Sequence, residues 1–206
     1  MNCWNFLDDG LSVPPTSRNL RSRLLCWLGR RFALRHRNVH IPPSCRIHPG
    51  AKIHPRSGRI VLGENCTIAE GAILQGNIVM GDNCSVQSYS ILVGYGKVGE
   101  TDGQITIGNC VRIASHGMIV AANHRFDNQE KTIHGQGLHR KPIFIEENVW
   151  VGGRVNITAG TTIGQGSIIA AGAVVTKDVP AKSIAMGIPA QAHPIPSSEE
   201  NFISKS

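Results

Sequence analysis

At 206 residues and 41% hydrophobic composition the chain can bury one sizeable core, and the length predicts one domain with at most an appendage. Aromatic residues make up 5% while glycine numbers 23, which argues against an aromatic-rich globular core and for short repeated strands with tight turns. The formal charge of +7 belongs to one segment: Arg18, Arg21, Arg23, Arg30, Arg31, Arg35 and Arg37 supply it with no acidic residue among them, so an anionic partner meets that segment first and no nucleic-acid partner is expected.

The six cysteines form no C-x-x-C pair, which predicts reduced thiols and a cytoplasmic setting. Asp8 and Asp9 stand where a secretion signal needs positive charge, and no run reaches the ~18 apolar residues of a membrane span, so neither export nor membrane crossing is expected.

Residues 1–40 read as a basic N-terminal segment with a helix over Ser17 to Arg37. Leu20, Leu24, Leu28 and Phe32 recur at i, i+4, with Leu25 and Trp27 beside them and Arg21, Arg31 and Arg35 interrupting the stripe. Two expectations follow: a cap on whatever comes next, or peripheral contact through Arg18–Arg37 with an anionic membrane face or an acidic glycan.

From residue 41 an aliphatic residue returns every sixth position: Ile41, Ile47, Ile53; then Leu62, Ile68, Leu74, Met80, Val86, Leu92; then Ile107, Ile113, Ile119; then Ile145, Val151, Ile157, Ile163, Ile169, Val175. The fifth position of each six is usually small, as at Cys66, Ala72, Cys84, Ser90, Thr161, Ser167 and Ala173. Period six fits neither a helix nor an alternating strand, but three hexads closing one triangular coil turn every aliphatic residue inward onto its counterpart one coil away. Residues 41–180 are therefore an all-β solenoid. Cys45, Cys66 and Cys84 share a phase and should stack as a buried ladder of free thiols. The register breaks over Gly94–Gln104 and Arg125–Pro142, both after the third hexad of a coil, so both loops should leave the same edge of the prism, the second directly after His124. The tail, 181–206, is a candidate cap for the open end.

The stretch IEENVWVGGRVNITAGTTIGQGSIIAAGAVVTKDVPAKSIAMGIPA, together with AANHRFDNQ, resembles the hexapeptide-repeat acyltransferases, the group of maltose, galactoside and nodulation-factor acetyltransferases and polysaccharide O-acetyltransferases. That resemblance implies a left-handed parallel β-helix, a homotrimer with sites between subunits, acetyl-CoA as co-substrate with no metal, and a saccharide acceptor. It implies His124 as general base, a role that an imidazole of reference pKa about 6.5 suits near neutral pH. It further places Trp150, Gly152, Gly153 and Ala171 along the CoA groove, Thr176 and Lys177 near its nucleotide end, and Gln87, Asn123 and Asp127 at the acceptor. The Gly153 N–H is a candidate oxyanion donor, and either Asp127 or a backbone carbonyl is a candidate to orient the imidazole. Two positions depart from the family pattern: Gln87 stands where many sugar acetyltransferases have Asn, and Gln191 follows Ala190 where Arg is usual. No cysteine lies near His124, which favours direct attack by the acceptor over a covalent acyl-enzyme.

The resemblance extends to acetyltransferases that modify antibiotics, the second expectation. A zinc enzyme of γ-class carbonic anhydrase type shares the fold, and His134 and His139 are spaced as such a site requires, yet both fall off the hexad register without a third partner. A non-catalytic scaffold would not need the Thr176–Lys177 signature.

Overall fold

The computed structural model describes residues 20–195; residues 1–19, with Arg18 and Cys3, and residues 196–206 lie outside the described part, as do the side chains of Arg21 and Ser22. Within it the hexads close into a three-faced parallel β-helix. The first face stacks Val39–His40, Ile60–Leu62, Ile78–Met80, Ile105–Ile107, Ile143–Ile145 and Thr162–Ile163. The second runs from Arg46–Ile47 through Trp150–Val151 to Ile168–Ile169, and the third from Lys52–His54 through Met118–Val120 to Val174–Val175.

Each sixth residue faces inward because a strand of two or three residues has room for one or two core positions before the chain turns. Every aliphatic residue of the six-residue series is buried, and on the first face Leu62, Met80, Ile107, Ile145 and Ile163 pair in unbroken register. Apart from Val111, Val149 and Val155, the fifth position is small where the chain enters the second and third faces. At the first face it is small at Thr161 in the last coil but filled by Ile60, Ile78, Ile105 and Ile143, all fully buried, in the coils before it, so this side of the prism carries a second, isoleucine ladder where the spacing had suggested small residues.

Cys45, Cys66 and Cys84 stack as expected, with free, buried thiols. Their Sγ atoms donate to the carbonyls of Gly63, Gly81 and Gly108 at 3.0, 3.1 and 3.0 Å. The hydrogen bond to Cys66, then burial, raise the Cys45 thiol. Cys66 is drawn down by Cys45 but pushed up further by Cys84 and by burial, to about 12. These two thiols stay protonated at neutral pH, and thiols are poor nucleophiles. Cys110 instead occupies a turn with φ 59° and is exposed. Alkylation of the native protein should therefore label Cys110 and spare Cys45, Cys66 and Cys84 until denaturant is added. Peptide mapping by mass spectrometry reads this directly, and rapid native labelling of Cys66 would contradict the ladder.

The N-terminal helix, α1 (Leu20–Ala33), packs on the strands Arg46–Ile47 and Lys52–His54 and so caps the first coil. It does so with Leu25, Gly29 and Ala33, not with the stripe of Leu20, Leu24 and Phe32, which is exposed. Gly29 decides this: a Cβ there would overlap the Ile47 carbonyl oxygen, and its absence lets the helix backbone lie directly on the coil. Arg30 fixes the docking by donating from Nε and Nη2 to the Ile41 carbonyl at 3.0 and 2.8 Å. At the other end Ser183–Gly187 extends the second face beside Ile168–Ile169 and folds back antiparallel on Ala190–Pro194.

Candidate active site

Both loops leave the corner between the third and first faces, as the register required. The second excursion starts earlier than the spacing indicated. Ala121 makes the last ladder bond, to the Val93 carbonyl at 3.0 Å, and Ala122–His124 then pairs antiparallel with Leu138–Arg140. His124 is thus the third residue of a projecting β-arm rather than the end of a coil. The reason is local: Lys141 N–H donates to the Ala121 carbonyl at 3.1 Å and closes the arm at its base, taking Ala122 out of the coil.

On this arm His124 is exposed and lines an open groove of about 440 Å³ with Asn123, Arg125, Phe126, Asp127 and His139. The proposed base and the proposed acceptor residues Asn123 and Asp127 therefore share one groove. Among the described residues no hydrogen bond fixes the His124 imidazole, and Asp127 does not reach it. The His134 ring lies 6.5 Å from His124, centre to centre. Among the described residues no group of three or more His, Cys, Asp or Glu is placed to hold a metal.

A contact that the sequence did not signal holds the arm. Arg140, at its base opposite Ala122, donates from Nη1 to Glu100 at 3.1 Å and sets Nη2 2.9 Å from Asp102. Glu100 belongs to the first loop and is tied down in turn: Lys97 N–H donates to its carboxylate at 3.0 Å, and the buried Asn77 donates from Nδ2 to its carbonyl at 2.6 Å. The Lys97 N–H, opposed by desolvation and aided by Arg140, holds the Glu100 carboxyl below its usual range. A carboxyl depressed on folding contributes above its unfolded pKa and loses that contribution as pH falls through the folded value, so the clamp weakens only in acid.

The remaining site residues lie elsewhere on the prism. Gln87, Gly152, Gly153 and Ala171 cluster at the corner between the second and third faces. Gly152 is required by packing, since a Cβ would come within 2.7 Å of the Ala171 nitrogen, whereas a Cβ on Gly153 would meet only the Ser115 carbonyl, at 3.5 Å. Gly152 N–H and Arg154 N–H are spent on Ile169 and Ser115, but among the described residues no acceptor takes the Gly153 N–H or the Ala171 N–H. Trp150 stands 55% exposed on the second face. Thr176 and Lys177 are exposed at the corner from which the arm leaves. From Gly153 to Thr158 the chain crosses the whole third face, about 16 Å at strand rise, so within one chain the Gly153 cluster and the Lys177 corner sit on opposite edges.

Residues 142–177 match the family described as bacterial transferase hexapeptide (six repeats). The galactoside O-acetyltransferase of Escherichia coli K12 is 39% identical over 88 residues, 43% of this chain and 42% of that enzyme. The matched part is likewise 41% and 29% of the length of two further relatives, from Schizosaccharomyces pombe and Mycobacterium tuberculosis. A maltose O-acetyltransferase from Clostridium difficile 630 superposes with TM-score 0.51 at 26% identity, covering 87% of this chain and 88% of that one. The N-acyltransferase AntD of Bacillus cereus, solved with dTDP and 3-hydroxybutyryl-CoA, shares the fold at TM-score 0.67 and 20% identity over 80% of this chain and 87% of its own. Residues 142–177 thus carry the hexapeptide repeat pattern, and the chain shares the left-handed β-helix fold of these acyltransferases.

Proposed function

We propose that the protein transfers acetyl from acetyl-CoA to a hydroxyl of a saccharide, in a site completed by a neighbouring chain of a trimer. The observation that carries this reading is the pairing of the transferase hexapeptide coils with an arm that lifts His124 into an open groove.

His124 takes the hydroxyl proton as the acceptor oxygen attacks the thioester carbonyl, and the Gly153 N–H, which has no acceptor among the described residues, donates to the developing oxyanion. Collapse of the tetrahedral intermediate breaks the C–S bond, and His124 returns the proton to the departing thiolate, leaving the acetyl ester and free CoA. Gly153 and Ala171 line the groove for the pantetheine arm beside Trp150, and the exposed Lys177, with Thr176, suits a phosphate at the nucleotide end. Asn123, Asp127 and Gln87 face the acceptor.

The apolar parts of the arm support a trimer. Phe126 is 75% exposed, with Ile133 and Leu138 also open to solvent, so an adjacent prism would bury them. A trimer also brings the Gly153 corner of one chain near the His124 arm of the next.

Release of CoA from acetyl-CoA, followed across nucleotide sugars, lipid-linked saccharides and antibiotics, tests the reading. Turnover on saccharides is the expected result; turnover confined to antibiotics, or to none, would overturn it. Lys177→Ala should raise KM for acetyl-CoA roughly three- to tenfold at unchanged kcat.

Arg140→Ala should lower kcat roughly tenfold by loosening the His124 arm, since small misplacements of a catalytic group are costly. KM for acetyl-CoA should hold and the melting temperature should barely move, because each ion pair is solvent-exposed. Arg140→Lys, which keeps the charge and loses the fork, should recover part of kcat. A kcat indifferent to Arg140→Ala would show that the clamp does not position the base.

A further inference from the structure

We propose that the outward face of α1 docks the protein on an anionic lipid surface. The helix has fourteen residues, and its packed side is fixed by Leu25, Gly29 and Ala33. At 100° per residue, Leu20, Leu24, Trp27 and Arg31 fall within roughly 40° of the opposite direction, with Arg23 just beyond them. The face turned furthest from the prism therefore combines Leu20, Trp27 and Leu24 with Arg31 among them and Arg23 at one edge. Leu20 is 76% exposed, Leu24 53% and Trp27 56%. The Arg31 guanidinium lies 6.0 Å from the Trp27 ring centre, so a cation and an interfacial aromatic are presented together.

Charge selects the occupant. From residue 10 to residue 63 the sequence contains no Asp or Glu, and Arg23, Arg31, Arg35, Arg37 and Lys52 are all exposed at this end of the prism. A second copy of the same face would bring arginine against arginine. A soluble polyanion would satisfy the arginines but leave Leu20, Leu24 and Trp27 in water. A bilayer with acidic headgroups satisfies both, taking the Leu and Trp side chains at the level of the headgroups while the guanidinium groups reach phosphate. Geometry agrees, because a helix lying flat across the end of a solenoid has a whole side free of the coils.

The inference is independent of the transfer reaction, and its test reads binding alone. The full chain is sedimented with vesicles of phosphatidylcholine and with vesicles in which phosphatidylglycerol replaces part of it. Binding to the mixed vesicles, little to the neutral ones, and loss on raising salt are expected. Leu24→Ser with Trp27→Ser should weaken partition at least tenfold with no change in assembly mass or melting temperature, since both side chains are exposed and lie on the helix face opposite Leu25, Gly29 and Ala33. Arg23→Ser with Arg31→Ser should weaken it in the same way and flatten the salt dependence. No binding to anionic vesicles at low salt overturns the proposal. So does binding that the Leu24→Ser, Trp27→Ser variant retains in full, which would mean attraction to charge alone. A change in assembly mass in that variant overturns it as well, by assigning the face to contacts between copies.

Discussion

His124→Ala is expected to abolish measurable acetyl transfer while acetyl-CoA still binds and the assembly keeps its mass. The side chain stands in solvent on the arm and adds nothing to the inward ladders, so its truncation should leave the melting temperature within the range of a surface change. Loss of a general base typically costs on the order of 10² to 10⁴ in rate, and that loss should fall on kcat because the proposed CoA-binding residues Gly153, Ala171 and Lys177 are untouched. Steady-state kinetics with a verified saccharide acceptor, together with calorimetric CoA binding, separates the two effects. A variant that keeps near-normal kcat would move the base elsewhere.

The second large effect concerns the fold. Ile78→Ala should destabilise the protein by about 2 to 5 kcal/mol. Ile78 is fully buried between Ile60 and Ile105 of the coils on either side. Its strand is held to both neighbours, by Ile78 N–H on the Arg59 carbonyl at 2.8 Å and Ile105 N–H on the Asn77 carbonyl at 3.1 Å. Coils pinned in this way cannot close over the lost methylenes, so the cavity persists. Val79, the next residue, points outward and is half-buried, and Val79→Ala should cost about 1 kcal/mol or less. Denaturant titration of the pair checks the inward and outward assignment of the first face; equal losses would contradict it.

The solenoid was legible because its core rule repeats: one inward aliphatic every six residues makes Leu62, Met80, Ile107, Ile145 and Ile163 a pattern before any strand is assigned. The isoleucine ladder at Ile60, Ile78, Ile105 and Ile143 was missed because it recurs only once per coil and the two loops disrupt its spacing. Both loops were placed on their common corner, since phase alone fixes where a chain leaves a prism. Phase carries no information inside a loop, which is why the pairing of His124 with Leu138 and the reach of Arg140 to Glu100 and Asp102 appear only in three dimensions. For α1 the largest side chains suggested the packed stripe, yet close approach favoured the smallest: Gly29 and Ala33 sit against the coil, and Leu24 and Trp27 face away.

The account rests on an active site assembled from two chains, and subunit mixing tests it most directly. His124→Ala removes the base from one chain; Gly153→Trp fills the proposed pantetheine groove on another, at a position where a Cβ meets only the Ser115 carbonyl at 3.5 Å and the fold should tolerate it. Each variant alone should be inactive. Co-expressed and isolated as mixed assemblies, they should regain transfer activity, because some interfaces then pair an intact His124 arm with an intact Gly153 corner from the neighbouring chain. Mixed assemblies that remain as inactive as either variant alone would contradict the account.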